Sequence, residues 1–160
     1  MEKKQNLSDT NLEGIKDLRG LKAGIVTAAW NPEVTFAMRD AAMELLSAHL
    51  GKDSVMQITV PGSFELVHAS ARLMEHVDGV IAIGCVIQGE TPHFTFISQA
   101  VASGLASLNA RAAKPVIFGV LTTDTMEQAL ERAGGRHGNK GTEAAATLLN
   151  MLSINYISGN

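Results

Sequence analysis

Residues 88–93, with the sequence Gln-Gly-Glu-Thr-Pro-His, bring several chemically capable groups to one point of the chain. Gly89, Glu90 and Thr91 offer backbone N–H groups and a hydroxyl, which together can bind an anion such as phosphate. His93 carries an imidazole that can relay protons near neutral pH, and a neighbouring helix N-terminus would disfavour its charged form. Two plainer interpretations remain open, because a Gly-Glu-Thr triplet occurs in many loops and such a His can be a helix-capping or surface residue.

The elements around this segment favour a ligand site. An apolar run from Val80 to Ile87 precedes it and is typical of a strand buried on both faces. Thr91 and Pro92 follow as an N-cap residue and a proline at the first helical position, so His93 is predicted in the first turn of a helix. In open α/β sheets, ligands bind outside the carboxyl end of a strand and beside a helix N-terminus.

The remaining chain alternates apolar runs with helical patterns. Asp124 with Glu127 matches a capping box before a short helix that stops at Gly134. The predicted strands are 21–28, 54–60, 80–86 and 115–121, and the predicted helices cover 32–50, the segment after Ser63, the segment after Pro92, the segment after Asp124, and a last helix from about Gly138 or Lys140 to Ile154. Strands that alternate with helices and right-handed crossovers predict a flavodoxin-like three-layer αβα sandwich, with a four-stranded parallel sheet of order 2-1-3-4.

Composition and charge narrow the class of protein. The 160 residues are enough for one domain, predicted at 21–157 after a flexible polar arm at 1–20. A net charge of −3 does not favour binding to nucleic acid or to an anionic membrane surface. No apolar run approaches the roughly 20 residues that span a bilayer. The single Cys85 and a polar N-terminus without a signal core fit a cytoplasmic protein.

The topology brings the strand-to-helix loops to one edge of the sheet, which is where we expect the site. Trp30 either stacks on a flat ligand or packs under its own loop, and Phe64 either contacts a ring or packs in the core. The side chains predicted to converge are Trp30, Asn31, Ser63, Phe64, Glu65, Gln88, Glu90, Thr91 and His93.

A glycine-rich segment at 133–141 lies between the last two predicted helices. It is either a solvated joint between helices or a device by which Arg132 and Lys140 reach a neighbouring subunit. The sequence carries no Walker-type phosphate loop, no Cys/His cluster for a metal and no G-x-G-x-x-G after the first strand. It also lacks the hydroxyl- and glycine-rich loop of an FMN-binding flavodoxin.

Taken together, the loops resemble those of the lumazine synthase family. The resemblance covers about residues 20–155 in five ordered motifs: Trp30-Asn31, Val60-Pro-Gly-Ser-Phe-Glu65, Gly84-Cys-Val-Ile-Gln-Gly-Glu-Thr-Pro-His-Phe94, Pro115-Val-Ile-Phe-Gly-Val-Leu-Thr122 and Glu131-Arg-Ala-Gly-Gly-Arg-His-Gly-Asn-Lys-Gly141. It implies a transferase that condenses 5-amino-6-ribitylaminouracil with 3,4-dihydroxy-2-butanone 4-phosphate in riboflavin biosynthesis, releasing phosphate and water. No metal and no cofactor are implied.

The resemblance also implies a role for each matching residue. Trp30 would stack on the pyrimidine, while His93 would shuttle protons. The other implied assignments are Ser63 and Glu65 on the ribityl chain with Asn31 and Phe64 nearby, the backbone of Val86 and Ile87 at the ring edge, Gly89, Glu90 and Thr91 on the phosphate, and Phe118, Arg132 and Lys140 from the adjacent subunit, with Arg132 pairing with the phosphate.

The resemblance also concerns the assembly of the protein, and three positions of the chain differ from the family's usual residues. It implies a homopentamer, and the short joint before the last helix favours an icosahedral shell of pentamers over a lone pentamer; riboflavin synthase is a further candidate partner. The chain has Gln88 where the family often has Arg, Ser63 where Ala is commoner, and Trp30 where Phe is commoner. The alternative is a relative that binds riboflavin or a lumazine, or forms a shell, without catalysis.

Overall fold

Four parallel strands form the sheet that positions the predicted site. The computed structural model describes residues 12–15 and 17–158, with side chains to residue 154. The strands are β1 (Ala23–Ala28), β2 (Val55–Val60), β3 (Gly79–Ile87) and β4 (Val116–Thr123), and the α-helices are α1 (Pro32–Leu50), α2 (Leu66–Leu73), α3 (His93–Arg111), α4 (Met126–Glu131) and α5 (Lys140–Ser158). Short 3-10 helices at Lys52–Ser54 and Ser63–Glu65 precede β2 and α2.

The sheet has the strand order β2-β1-β3-β4, and all of its pairings are parallel. The predicted flavodoxin-like αβα sandwich is therefore confirmed. β3 is the longest strand and is central, and the predicted buried run does form it, with residues 79–85 buried on both faces. Such uniform burial is what helices on both faces of a parallel sheet produce.

Two hydrophobic cores lie between the three layers, one on each face of the sheet. One lies between the sheet and the layer of α1, α4 and α5, and the other lies between the sheet and the layer of α2 and α3. Alternate residues of β3 point to the two cores, Ile81 and Ile83 to the first and Val80 and Ala82 to the second. Burying one large aliphatic side chain contributes about 1.5–3 kcal/mol, so these cores hold the layers in place.

Polar side chains fix the amino-terminal edge of the sheet. The Asp78 carboxylate accepts from the Lys22 N–H at 2.7 Å, and the Asp78 N–H donates to the Lys22 carbonyl at 2.8 Å. Asn109, in the last turns of α3, accepts from the Val116 N–H at 2.9 Å and donates to the Val116 carbonyl at 2.8 Å. These reciprocal pairs hold β1, β3 and β4 together where the strands begin.

Two predicted helix starts were wrong by one residue. α3 begins at His93 with Pro92 as its N-cap residue, so Thr91 is not the cap. α4 is capped by Thr125, whose hydroxyl accepts from the Gln128 N–H at 3.2 Å, and not by Asp124 with Glu127. At α4 the sequence offers a carboxylate and a hydroxyl at successive positions, Asp124 and Thr125, and the backbone conformation selects the second. At α3 no side chain caps the helix, since its N-cap residue is Pro92.

The glycine-rich segment is a small hairpin and not an irregular joint. β5 (Ala133–Gly135) pairs antiparallel with β6 (Gly138–Asn139). The hairpin packs on α1, because the Asn139 amide donates to the Ala37 carbonyl at 3.4 Å and accepts from the Gly141 N–H at 2.8 Å. At Gly141 the backbones of α5 and α1 approach so closely that an added Cβ would overlap the Met38 carbonyl.

The predicted arm at 1–20 lies mostly outside the described residues. In its described part, Leu18 is buried in the first core, and Leu12 and Ile15 pack against that core. Among residues 12–15 and 17–158, no helix is long and apolar enough to cross a lipid bilayer.

We predict that Gly141→Ala lowers the free energy of unfolding by about 2–3 kcal/mol, as overpacking against an immovable backbone does. The loss would occur although alanine has the higher helix propensity. Urea unfolding followed by circular dichroism measures it. Gly89→Ala is the matched control, since a Cβ at Gly89 meets nothing within 4 Å; equal unfolding midpoints for the two variants would contradict the close helix contact.

Candidate functional site

A crevice opens at the carboxyl end of β3, because the pairing of β3 with β1 ends earlier along the strand than the pairing of β3 with β4. The β1–β3 pairing stops at Thr27 opposite Ile83, whereas the β3–β4 pairing continues to Ile87 opposite Thr123. β3 therefore extends four residues beyond its last pairing with β1. The two strands on either side of this point connect in opposite directions across the sheet, which makes it the topological switch point where α/β proteins bind ligands.

The loop after β1 forms one wall of the crevice. Trp30 is 64% exposed, although tryptophan is normally well buried. Its ring rests on Gly62, where an added Cβ would lie 2.6 Å from Trp30 Cε3, so glycine is required for this contact. The backbone fixes the loop as well, because the Trp30 N–H donates to the Pro61 carbonyl at 3.1 Å. Of the two interpretations of Trp30, the structure supports an exposed ring platform over a ring packed beneath the loop.

The loop after β2 forms the floor. Ser63 is 5% exposed and lies against Gly84 of β3, where an added Cβ would be 2.5 Å from Ser63 Oγ. Phe64 is 60% exposed, which excludes the predicted alternative of core packing. The Glu65 carboxylate accepts from the Gly62 N–H at 3.0 Å through Oε2. This bond fixes the carboxylate and leaves Oε1 available to accept from hydroxyl donors.

The end of β3 and the start of α3 form the far wall. Val86 and Ile87 are half-buried, and residues 88–93 are exposed. The Gln88 N–H donates to the Thr123 carbonyl at 2.9 Å, which continues the β3–β4 ladder and fixes where the loop leaves the sheet. His93 is the first residue of α3, whose opening turn leaves N–H groups without helical partners. The arrangement suits an anion bound beside residues 89–91, with the His93 imidazole next to it.

The structure thus brings together eleven of the predicted site residues. They lie in the loops after β1, β2 and β3, at the end of β3 or at the start of α3: Trp30, Asn31, Ser63, Phe64, Glu65, Val86, Ile87, Gly89, Glu90, Thr91 and His93. Sequence reasoning missed Gly62 and Gly84, which allow the loops to approach one another. The Pro-Gly turn and the single glycine inside the apolar run were the available signals.

Phe118, Arg132 and Lys140 lie outside this cluster within the chain. Phe118 sits in the middle of edge strand β4, opposite Ala82 and five residues before Thr123, which corresponds to about 17 Å along the strand. The Arg132 guanidinium donates to the Gln128 carbonyl at 2.9 Å, and Lys140 pairs with Glu143 at 3.3 Å. Both cations belong to the α4–hairpin–α5 segment on the α1/α5 face of the sheet.

Cys85 lies in β3 beside the site but is not suited to be a nucleophile. It is 4% exposed, and burial raises the pKa of its thiol to about 11. At neutral pH it is a neutral, apolar packing group. Among the described residues, no group of three or more His, Cys, Asp and Glu side chains has the geometry to hold a metal ion.

The fold and the crevice place the chain in the α/β class, with an exposed aromatic ring, a fixed carboxylate and a histidine at a helix start along one edge of a parallel sheet. Such groups are able to bind a flat, hydroxylated molecule and an anion. Comparison with known proteins gives the family. The profile of the 6,7-dimethyl-8-ribityllumazine synthase family matches residues 20–155, and the chain belongs to that family.

Relatives match nearly the whole chain. The 6,7-dimethyl-8-ribityllumazine synthase of Porphyromonas gingivalis is 50% identical over 155 residues, covering 95% of this chain and 96% of the relative. That of Cytophaga hutchinsonii is 50% identical over 152 residues, with 93% and 95% covered, and that of Aquifex aeolicus is 42% identical over 145 residues, with 89% and 94% covered.

We predict that Cys85 resists alkylation by iodoacetamide in the native protein at pH 8. With a pKa of about 11, its thiolate fraction is roughly a hundredfold below that of an unfolded cysteine, and burial slows the reaction further. Mass spectrometry over time measures the reaction, with protein in urea as the control. Comparable native and unfolded rates would show that the thiol is accessible and ionised.

Proposed function

We propose that this chain condenses 5-amino-6-ribitylaminouracil with 3,4-dihydroxy-2-butanone 4-phosphate to give 6,7-dimethyl-8-ribityllumazine, phosphate and water. One observation carries the proposal: the family match spans residues 20–155, and three of its loops converge at the crevice beside β3. The relatives that cover nearly the whole chain carry the name of this synthase.

The crevice offers the pyrimidine both a stacking surface and polar partners. The exposed Trp30 ring provides the flat face. The backbone of Ile87 supplies a donor and an acceptor to the ring edge, since its polar groups face the side of β3 that β1 no longer covers. The backbone of Val86, its neighbour in the family motif, faces β4 and holds the end of β3 in place. Glu65, with one oxygen fixed by Gly62, accepts from ribityl hydroxyls, and the buried Ser63 closes the floor.

The phosphate and the proton transfers belong to the loop before α3. Backbone N–H groups of residues 89–91 and the Thr91 hydroxyl bind the phosphate, supported by the helix N-terminus. The 5-amino nitrogen attacks the ketone, and water leaves as the Schiff base forms. Phosphate is then eliminated, and the ribitylamino nitrogen closes the ring with loss of a second water. His93 accepts and returns the protons of these steps, and holding the two substrates together supplies much of the acceleration.

Arg132, Lys140 and Phe118 serve the site of a neighbouring copy. They lie outside the chain's own cluster, so a contribution to catalysis requires a second subunit. The α2/α3 face supports this, because it exposes Met56, Ile58, Phe96 and Phe118 by 38–67%. Exposed apolar side chains in such number are typical of surfaces that associate.

We propose a homopentamer, with one site at each contact between neighbours. The short β5–β6 hairpin carries no insertion, which favours assembly of pentamers into an icosahedral shell. Light scattering would give a shell mass; a pentamer mass in several buffers would contradict the shell and leave the pentamer standing.

The direct test of the function mixes purified protein with both substrates and follows the absorbance and fluorescence of the lumazine together with phosphate release. The proposal expects equal amounts of lumazine and phosphate at a rate well above the uncatalysed reaction. If the protein binds the lumazine but does not exceed the background rate, it is a binding relative and not the synthase.

We predict that Arg132→Ala slows turnover more than His93→Ala does. Loss of a charge-assisted phosphate contact worth about 2–3 kcal/mol lowers the rate roughly a hundredfold. Without His93 the site still holds the two substrates side by side, so we expect only about a tenfold lower rate. Steady-state kinetics measure both. An inactive His93→Ala that still binds both substrates would reverse this ranking.

We predict that two impaired variants restore activity when they are combined in mixed oligomers. Arg132→Ala and the double variant Trp30→Ala/His93→Ala damage opposite sides of one contact between subunits. In co-expressed oligomers some Arg132→Ala subunits lie beside a double-variant subunit. There the first subunit supplies an unchanged Trp30 and His93, the second supplies an unchanged Arg132, and the site between them is intact. The separately purified variants, mixed without subunit exchange, are the control. Co-expressed protein no more active than that mixture would place the whole site within one chain.

A further inference from the structure

Asn31 has a conformation and a hydrogen bond that helix capping does not require. It is the only non-glycine residue with positive φ among the described residues, at φ 59° and ψ 54°. It occupies the N-cap position of α1, yet its side chain makes no capping hydrogen bond. Instead its Nδ2 donates to the carbonyl oxygen of Cys85 at 3.0 Å. Asn is one of the few residues with a Cβ that adopt the left-handed conformation, because its short side chain can hydrogen-bond nearby backbone, and here that hydrogen bond reaches across the crevice.

The acceptor of this bond is a carbonyl that the β1–β3 ladder no longer reaches. In a parallel strand, the N–H and C=O groups of alternate residues face the same neighbouring strand. The odd residues of β3 face β1, and the last of them to pair with it is Ile83, opposite Thr27. Cys85 is the next residue on that side, and Ile87 follows it.

The side chain of Asn31 therefore adds one further hydrogen bond to the β1–β3 ladder. Its side-chain amide takes the place of the donor that β1 would supply if it continued beside Cys85. On the other side, β4 continues to pair with β3 as far as Ile87. Held from both sides at Cys85, β3 presents the backbone of Ile87 to the crevice at a fixed height and angle.

We propose that Asn31 is a positioning residue, whose amide fixes the backbone of Cys85 to Ile87 so that it can hydrogen-bond the edge of the pyrimidine. The inference deepens the proposed function and rests on it. It differs from a direct ligand contact, because the bond to Cys85 uses one of the two N–H groups of Nδ2, and a ligand would have to bind the second N–H or Oδ1. The two roles therefore predict different behaviour for variants that keep or remove each atom.

The test compares Asn31→Gly and Asn31→Asp by titration with 6,7-dimethyl-8-ribityllumazine and, separately, with inorganic phosphate. Asn31→Gly accommodates the left-handed backbone and removes the side chain; Asn31→Asp keeps an oxygen at the Oδ1 position and removes the donor. Positioning predicts that both variants raise the Kd of the lumazine about five- to tenfold, with the Kd of phosphate unchanged. A direct Oδ1 contact predicts that Asn31→Gly alone weakens lumazine binding, which would overturn the inference.

The pH dependence of Asn31→Asp separates positioning from a general loss of structure. Protonating the new carboxyl creates an O–H that can donate to the Cys85 carbonyl, so lumazine affinity should recover toward wild type near pH 4 and below, about the usual pKa of an aspartic acid. Glu33, Glu65, Glu90 and His93 are further ionisable groups at the same edge of the sheet, so the ratio of variant to wild-type Kd is compared at pH 7.5 and pH 4. A ratio that does not fall with pH would contradict the hydrogen bond as the cause.

Asn109→Asp is the matched structural control. Asn109 also bonds backbone carbonyls, those of Leu105 and Val116, but at the amino-terminal edge of the sheet. It should lower stability without changing the Kd of the lumazine. Wild-type protein that neither binds nor forms the lumazine would overturn the proposed function and this inference with it. If the wild-type protein binds the lumazine and Asn31→Gly binds it with the same Kd, only the positioning role is overturned.

Discussion

The unequal lengths of the two ladders beside β3 are the constraint on which the rest of the site depends. β3 pairs with β4 to Ile87 but with β1 only to Ile83. A central strand that continues past one neighbour exposes backbone polar groups at its end, and such groups need partners. The side chain of Asn31 satisfies the first of them at Cys85. What remains open is a backbone edge at the topological switch point, flanked by an aromatic ring and a helix start.

Close packing turns that opening into a defined surface. Gly62 admits the Trp30 ring and Gly84 admits Ser63, so the loops after β1 and β2 rest on each other and on β3 without a gap. The hairpin that carries Arg132 and Lys140 is held separately, on α1 through Asn139 and Gly141. The residues at the crevice and the two cations beside the hairpin are thus held at separate places on one sandwich. This arrangement suits a site that is completed between copies of the chain.

Most of the fold was predictable from the sequence because its signals are local. The uniformly apolar run from Val80 to Ile87 and the Pro and Gly residues beside each strand specify where the elements lie, and short right-handed connections leave few strand orders. The convergence of Trp30, Ser63 and His93 follows from that topology alone.

What escaped prediction depends on non-local geometry. The hairpin at residues 133–139 has too few side chains to show strand alternation, so its strands were not recognised. Asn31 has the residue type of a helix cap, and only the register of β1 against β3 shows that its amide is needed elsewhere. Phe118 and Arg132 lie away from the crevice within one chain, so the role proposed for them depends on a neighbouring subunit.

The measurement that tests the account most directly uses the fluorescence of Trp30, the only tryptophan in the chain. Its ring is exposed at the crevice, so an aqueous quencher such as acrylamide should reach it freely in the unliganded protein. The account predicts that saturating 5-amino-6-ribitylaminouracil shifts the emission and protects the ring from acrylamide, while inorganic phosphate does neither. Unchanged emission and quenching, under conditions where equilibrium dialysis shows the pyrimidine bound, would place its site elsewhere on the protein and contradict the central claim.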